Sequence, residues 1–169
     1  AIAQTTIPIV LPAVPDSVHV YESNLAYKNN NFGGLLITKR IEDDLRITLT
    51  SKFGLKIFDY LLSKDSIETI YSVNALNKKI IKKILYKDFR IIYPFLFDAK
   101  KIQKKGEKII IKKKMRKYKY LYEDNVLTQI RKGAGLNKVN IETNLKKIDH
   151  LELIHTVIGL KIKIKPLIL

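Results

Sequence analysis

The sequence predicts a mainly β (α+β) fold, a half-open antiparallel barrel of about eleven strands with one covering helix at about residues 77–93. Three observations carry this. Short runs of apolar residues alternating with polar ones, bounded by turn residues, fill 18–73 and 107–165. Between them the apolar period changes once, to three and four. Only 7 Gly and 5 Pro punctuate a chain that is 46% hydrophobic, which excludes disordered and low-complexity classes.

Residues 1–17 are expected to form an extended segment ahead of a single domain, 18–169. Ala1-Ile2-Ala3-Gln4 places small residues two apart before Gln, as at the tail of a secretory cleavage site, so export is expected. An arbitrary boundary is the alternative. Pro8, Pro12 and Pro15 fix φ and exclude a regular helix there. In the first strand His19, Tyr21, Ser23, Leu25 and Tyr27 alternate with Val20, Glu22 and Asn24, until Asn29-Asn30-Asn31 breaks the run. The second strand, 33–40, stops at Glu42-Asp43-Asp44. In the third, Leu45, Ile47 and Leu49 oppose Arg46, Thr48 and Thr50, the pattern of a half-buried antiparallel strand. Lys52-Phe53-Gly54 turns the chain into 55–62, and Ser63-Lys64-Asp65 turns it into 66–73, which completes a meander.

The helix is read from Ile80, Ile81, Ile84, Leu85, Phe89 and Ile92 on one face and lysines on the other. Asn74 or Asn77 is the expected N-cap, and Pro94 lies just past the end. Lysines in its first turn oppose the helix dipole. After a connector, 98–106, strands are expected at 107–114, 116–123, 126–132, 136–144, 150–157 and 160–165. Tyr118, Tyr120 and Tyr122 share one face, and Leu160, Ile162 and Ile164 oppose Lys161, Lys163 and Lys165.

The net charge of +16 is unevenly placed: residues 1–77 sum to −1, whereas 78–132 sum to +14. A solvated lysine face with weak attraction for anions is the first reading, and an anionic partner the second. Lys outnumbers Arg in the block, while base readers favour the bidentate Arg fork. Absence of cysteine excludes thiol catalysis, disulfides and thiolate metal sites. No apolar run approaches the roughly 18 residues that span a bilayer as a helix, so a soluble chain is expected.

No catalytic constellation is visible, and no enzyme is expected. His19, His150 and His155 lie outside metal-ligand spacing, and the last two fall on opposite faces of a strand. The carboxylates sit mainly in turns, and no glycine loop precedes a helix in a dinucleotide or Walker pattern. No cofactor and no metal are expected. A curved sheet has a concave face, whose expected lining is Tyr21, Leu25, Leu35, Ile37, Leu45, Ile47, Leu49, Tyr118, Tyr120, Tyr122, Val139 and Ile141. Ile81, Ile84 and Leu85 join it from the helix. A packed core is the better reading of any one of these residues, but one helix supplies little apolar material for so wide a sheet, so a lipid-like ligand is expected to fill the remainder.

The run from Leu45 to Asp59 (LRITLTSKFGLKIFD), with Gly33-Gly-Leu-Leu-Ile-Thr-Lys-Arg40 before it and Asp88-Phe89-Arg90 on the helix, resembles the LolA/LolB-like bacterial lipoprotein carriers. The likeness is nearest to uncharacterised LolB-like outer-membrane lipoproteins and covers 18–93. It implies a half-open barrel with a helical lid, in the periplasm or on the periplasmic face of the outer membrane. Its cavity would take the acyl chains of a lipid or acylated protein, received from a periplasmic donor carrier and passed to the outer-membrane surface. It further implies a monomer without cofactor, with Phe53 before Gly54 as the residue that meets the membrane. The chain departs from that pattern in its basicity and in having no cysteine to acylate. The competing expectation is a basic β-barrel that binds single-stranded nucleic acid on the tyrosine row. A scaffold role in an envelope complex is a third.

Overall fold

A computed structural model describes residues 7–113, 116–132, 137–144 and 147–167. The described residues form twelve strands and one α-helix. The strands are β1 (Val18–Tyr27), β2 (Asn30–Ile41), β3 (Asp44–Thr50), β4 (Lys56–Leu62), β5 (Ile67–Ser72), β6 (Ile102–Lys105), β7 (Lys108–Lys113), β8 (Arg116–Glu123), β9 (Val126–Lys132), β10 (Asn137–Asn144), β11 (Lys147–His155) and β12 (Leu160–Pro166). The helix α1 is Lys79–Ile92. Eight strands form one antiparallel sheet in the order β10-β11-β12-β1-β2-β3-β4-β5, and four form a second in the order β6-β7-β8-β9. β9 runs beside β10, but the strand order does not close into a barrel. β6 is the twelfth strand, inside the expected connector, and pairs Ile102 with Ile111 of β7.

Alternation places the core where the polar residues alternate cleanly. Tyr21, Leu25 and Tyr27 of β1, Leu45, Ile47 and Leu49 of β3, and Leu160, Ile162 and Ile164 of β12 all face inward and are buried. In β2 the expectation fails: Leu35 and Ile37 lie on the outer face, half-buried, while Leu36 and Thr38 turn inward. Pairing is the reason. Leu36 stands opposite Tyr21 on one side and Leu49 on the other, and residues directly opposite in an antiparallel pair share a face.

α1 lays Ile81, Leu85, Phe89 and Ile92 on the concave side of the large sheet, with Phe89 5.9 Å from the ring of Phe58. Neither Asn74 nor Asn77 caps it. The N-cap position is Lys78, without a side-chain cap hydrogen bond, because Asn74–Leu76 is taken up in a 3₁₀ turn of its own. The Tyr120 hydroxyl donates to the Ile91 carbonyl at 2.6 Å and ties the small sheet to the helix.

Gly34 marks the closest approach between β2 and the end of β3. A Cβ there would stand 1.8 Å from the Thr50 carbonyl oxygen, which is backbone and cannot swing aside. Gly34→Ala is therefore expected to destabilise by about 3 kcal/mol, the upper end of overpacking costs. Thermal melting checks this, and an unchanged midpoint would contradict the contact.

Candidate functional site

Much of the expected cavity lining lies in the packed core. Leu25, Leu45, Ile47, Leu49, Ile81, Leu85 and Tyr120 are 0% exposed and belong to one continuous cluster. Tyr21 and Tyr118 are buried at its margin, and Ile84, Tyr122, Val139 and Ile141 pack against it half-buried. The helix together with Phe58, Tyr60, Leu151 and Leu153 adds buried apolar bulk to this cluster. Burial raises the Tyr60 phenol to about 12 and holds that of Tyr120 well above its ordinary value.

Among the described residues, open apolar space borders the junction of the two sheets. Residues 7–14 cross it as an irregular strap that bends at Val10 and Leu11, which are only 5% and 7% exposed. Three grooves flank the strap. One, of about 430 Å³, is bounded by Tyr21, Tyr122, Leu127 and Ile148. A second, of about 380 Å³, is bounded by Arg40, Tyr93 and Phe95. The third, of about 370 Å³, is bounded by Lys104, Ile109 and Tyr122. Of the predicted lining, Tyr21 and Tyr122 border these spaces. Burial lifts the Tyr21 phenol to about 12.

The strap is tied to the body at its C-terminal end. The Arg40 guanidinium donates to the Ala13 carbonyl at 3.3 Å while lying 4.2 Å from the Phe95 ring, and Asp16 N–H donates to the Arg40 carbonyl at 3.2 Å. Pro8 and Pro12 have no N–H to donate. The segment was expected to be extended, but it bends at Val10 and Leu11 and is buried there; Ile9-Val10-Leu11 is uniformly apolar and gives no alternation to read.

The turn between β3 and β4 holds Phe53 in solvent at 94% exposure, so its ring does not fold back on the core. Ser51 builds the turn: its N–H donates to the Leu55 carbonyl, its carbonyl accepts from Gly54 N–H, and its hydroxyl oxygen accepts from Phe53 and Leu55 N–H. Gly54 takes a φ of 86°, open to glycine and costly for other residues.

Several polar side chains pair with one another within the fold. His155 on β11 meets Asp88 of α1 at 2.6 Å, both buried, and His150 meets Glu152 at 3.0 Å on the outer face. Asp59 on β4 receives Arg46, Thr48 and Lys56, and the Arg46 hydrogen bonds bring its carboxyl down to about 2. Among the described residues no group of three His, Cys, Asp or Glu is placed to hold a metal. Tyr118 packs on Phe97 at 5.6 Å and Tyr120 is enclosed, so neither ring is open to stack on a base. On the outer face of the small sheet, cations stand directly opposite one another: Lys105 and Lys108, Lys112 and Lys117, Lys119 and Arg131. Such like-charge pairs are unfavourable unless anions attend them.

No known family model matches the chain, and no curated protein matches it.

Proposed function

We propose that this protein is a non-enzymatic carrier that binds an acyl chain, of a lipid or of an acylated protein, and passes it to the periplasmic face of the outer membrane. In this reading the two sheets and α1 form a half-open barrel whose ligand site is the strapped junction, not the packed core. No cofactor takes part, the carrier works as a monomer, and a periplasmic donor hands it the chain.

The observation that carries the reading is the strap itself. A segment seated by apolar side chains, with prolines in place of two N–H donors, occupies apolar space that an acyl chain would fill. Burying Val10 and Leu11 contributes about 1.5–3 kcal/mol each, and each acyl methylene about 0.8 kcal/mol. A chain of roughly ten methylenes therefore outweighs the two side chains it displaces. The nucleic-acid reading has less support, because its stacking platform faces inward.

Native mass spectrometry of the full chain, mixed with palmitate or with phospholipid, tests this. One bound chain per protein is expected, with faster uptake by Val10→Ser/Leu11→Ser, in which the strap is loosened. No uptake by either protein would refute the carrier.

A further inference from the structure

The four-stranded sheet presents an outer face of one charge. Alternation turns Ile109, Ile111, Tyr118 and Tyr120 inward, so Lys105 of β6, Lys108 and Lys112 of β7, Lys117 and Lys119 of β8 and Arg131 of β9 share the other side. The ladder sets them side by side: Lys105 against Lys108, Lys112 against Lys117, Lys119 against Arg131. Among the described residues none of the six pairs with a carboxylate. Glu107, Glu123 and Asp124 lie in or beside the turns at one end of this sheet.

The six cations fall in two bands. Lys105 and Lys108 make one, and Lys112, Lys117, Lys119 and Arg131 the other, with half-buried Ile110 and Leu121 between them. Sheet geometry spaces neighbours within a band by about 5 Å across strands and about 7 Å along one. Cations fixed this close repel one another, and a dense anion laid over them removes that cost. Tyr118 and Tyr120 point the other way, so this face meets a partner by charge and not by stacking. Lysine is a point charge on a flexible stem, suited to phosphates and poor at reading base edges. Recognition by charge alone favours the densest and stiffest polyanion. A nucleic-acid duplex carries one charge per about 1.7 Å of axis and needs no ordering, whereas a single strand relies on rings to stack on. Two bands with low apolar residues between them match two phosphate rows across a minor groove about 6 Å wide.

We infer that this face binds the phosphate backbone of a double-stranded nucleic acid without reading its bases. Lys105 and Lys108 meet one strand, and Lys112, Lys117, Lys119 and Arg131 meet the other. The inference goes beyond the carrier reading and does not rest on it. The groove beside the strap is bounded by Ile109 and Tyr122, on the inward side of the same sheet.

Fluorescence anisotropy of the full chain with a short labelled DNA duplex, titrated at several salt concentrations, tests it. The logarithm of affinity should fall with the logarithm of salt at a slope of about −5, as for six phosphates. The duplex should bind more tightly than either of its separated strands. Lys105→Gln/Lys108→Gln and Lys112→Gln/Lys117→Gln should each make that slope shallower by about two. Each removes a like-charge pair, so neither variant should melt below the parent protein. Lys52→Gln/Lys163→Gln makes the same charge change at the large sheet and should leave the slope unchanged. Equal effects from all three double variants would show attraction by net charge alone and overturn the face. Tighter binding of single strands, or readier displacement of the duplex by heparin than by unlabelled duplex, would overturn it as well. Native mass spectrometry with palmitate reads the carrier separately. Uptake without duplex binding refutes this inference alone, and duplex binding without uptake refutes the carrier alone.

Discussion

Replacing Asp88 with alanine is expected to lower stability by about 3–5 kcal/mol, the cost of removing one partner from a buried pair. Asp88 sits on α1 at 0% exposure and His155 on β11 at 5%, joined at 2.6 Å across 67 residues of sequence. The contact fixes the helix against the far side of the large sheet. Without the carboxylate the imidazole keeps its burial but loses the group that satisfied it, and water cannot replace that group in so closed a place. At about 2–4 °C per kcal/mol for a chain of this length, the melting midpoint should fall by about 10 °C. His155→Ala should cost a similar amount, and the double variant clearly less than the sum of the two. Urea unfolding of the three variants checks this, and strictly additive losses would contradict the pairing.

Replacing Asp59 with asparagine is expected to cost about 2 kcal/mol at neutral pH, and the cost should fade in acid. The Arg46 guanidinium reaches both carboxylate oxygens at 3.1 and 2.8 Å, Lys56 adds 3.0 Å, and the Thr48 hydroxyl donates at 3.0 Å. These bonds favour the ionised form and bring the folded-state value to about 2, against about 3.9 in an unfolded chain. A depressed value stabilises the fold above the unfolded value. The contribution is whole above about pH 4 and is lost as pH falls through about 2. Arg46 and Lys56 are 43% and 48% exposed and regain water when the carboxylate is gone, which keeps the cost below that of Asp88. Unfolding midpoints at neutral pH, and at the lowest pH where both proteins stay folded, should converge. A gap that stays constant with pH would contradict this role for Asp59.

The meander, the single helix and most of the core were legible because polar residues alternate with apolar ones in β1, β3 and β12. β2 was not, because Leu35-Leu36-Ile37 is apolar on both faces and its inward side is chosen by Tyr21 and Leu49 across the ladder. β6 contributes one buried residue, Ile102, followed by Gln103-Lys104-Lys105, too little for a periodic signal. Whether Phe53 projects or folds back on the core was left open by the sequence, and the hydrogen bonds of Ser51 within the turn settle it as exposed. Whether the concave side held a hollow depended on side-chain volumes meeting across the sheet and helix. Asp59 and Asp88 likewise acquire partners only through pairing and packing that no local pattern encodes.

The position of a bound acyl chain is the decisive observable. A photoactivatable fatty acid, crosslinked to the full chain and mapped by peptide mass spectrometry, reads that directly. Adducts should concentrate at Tyr21, Tyr93, Tyr122 and Leu127 beside the strap, and fall away when palmitate competes. Adducts scattered over the surface, or indifferent to palmitate, would contradict it.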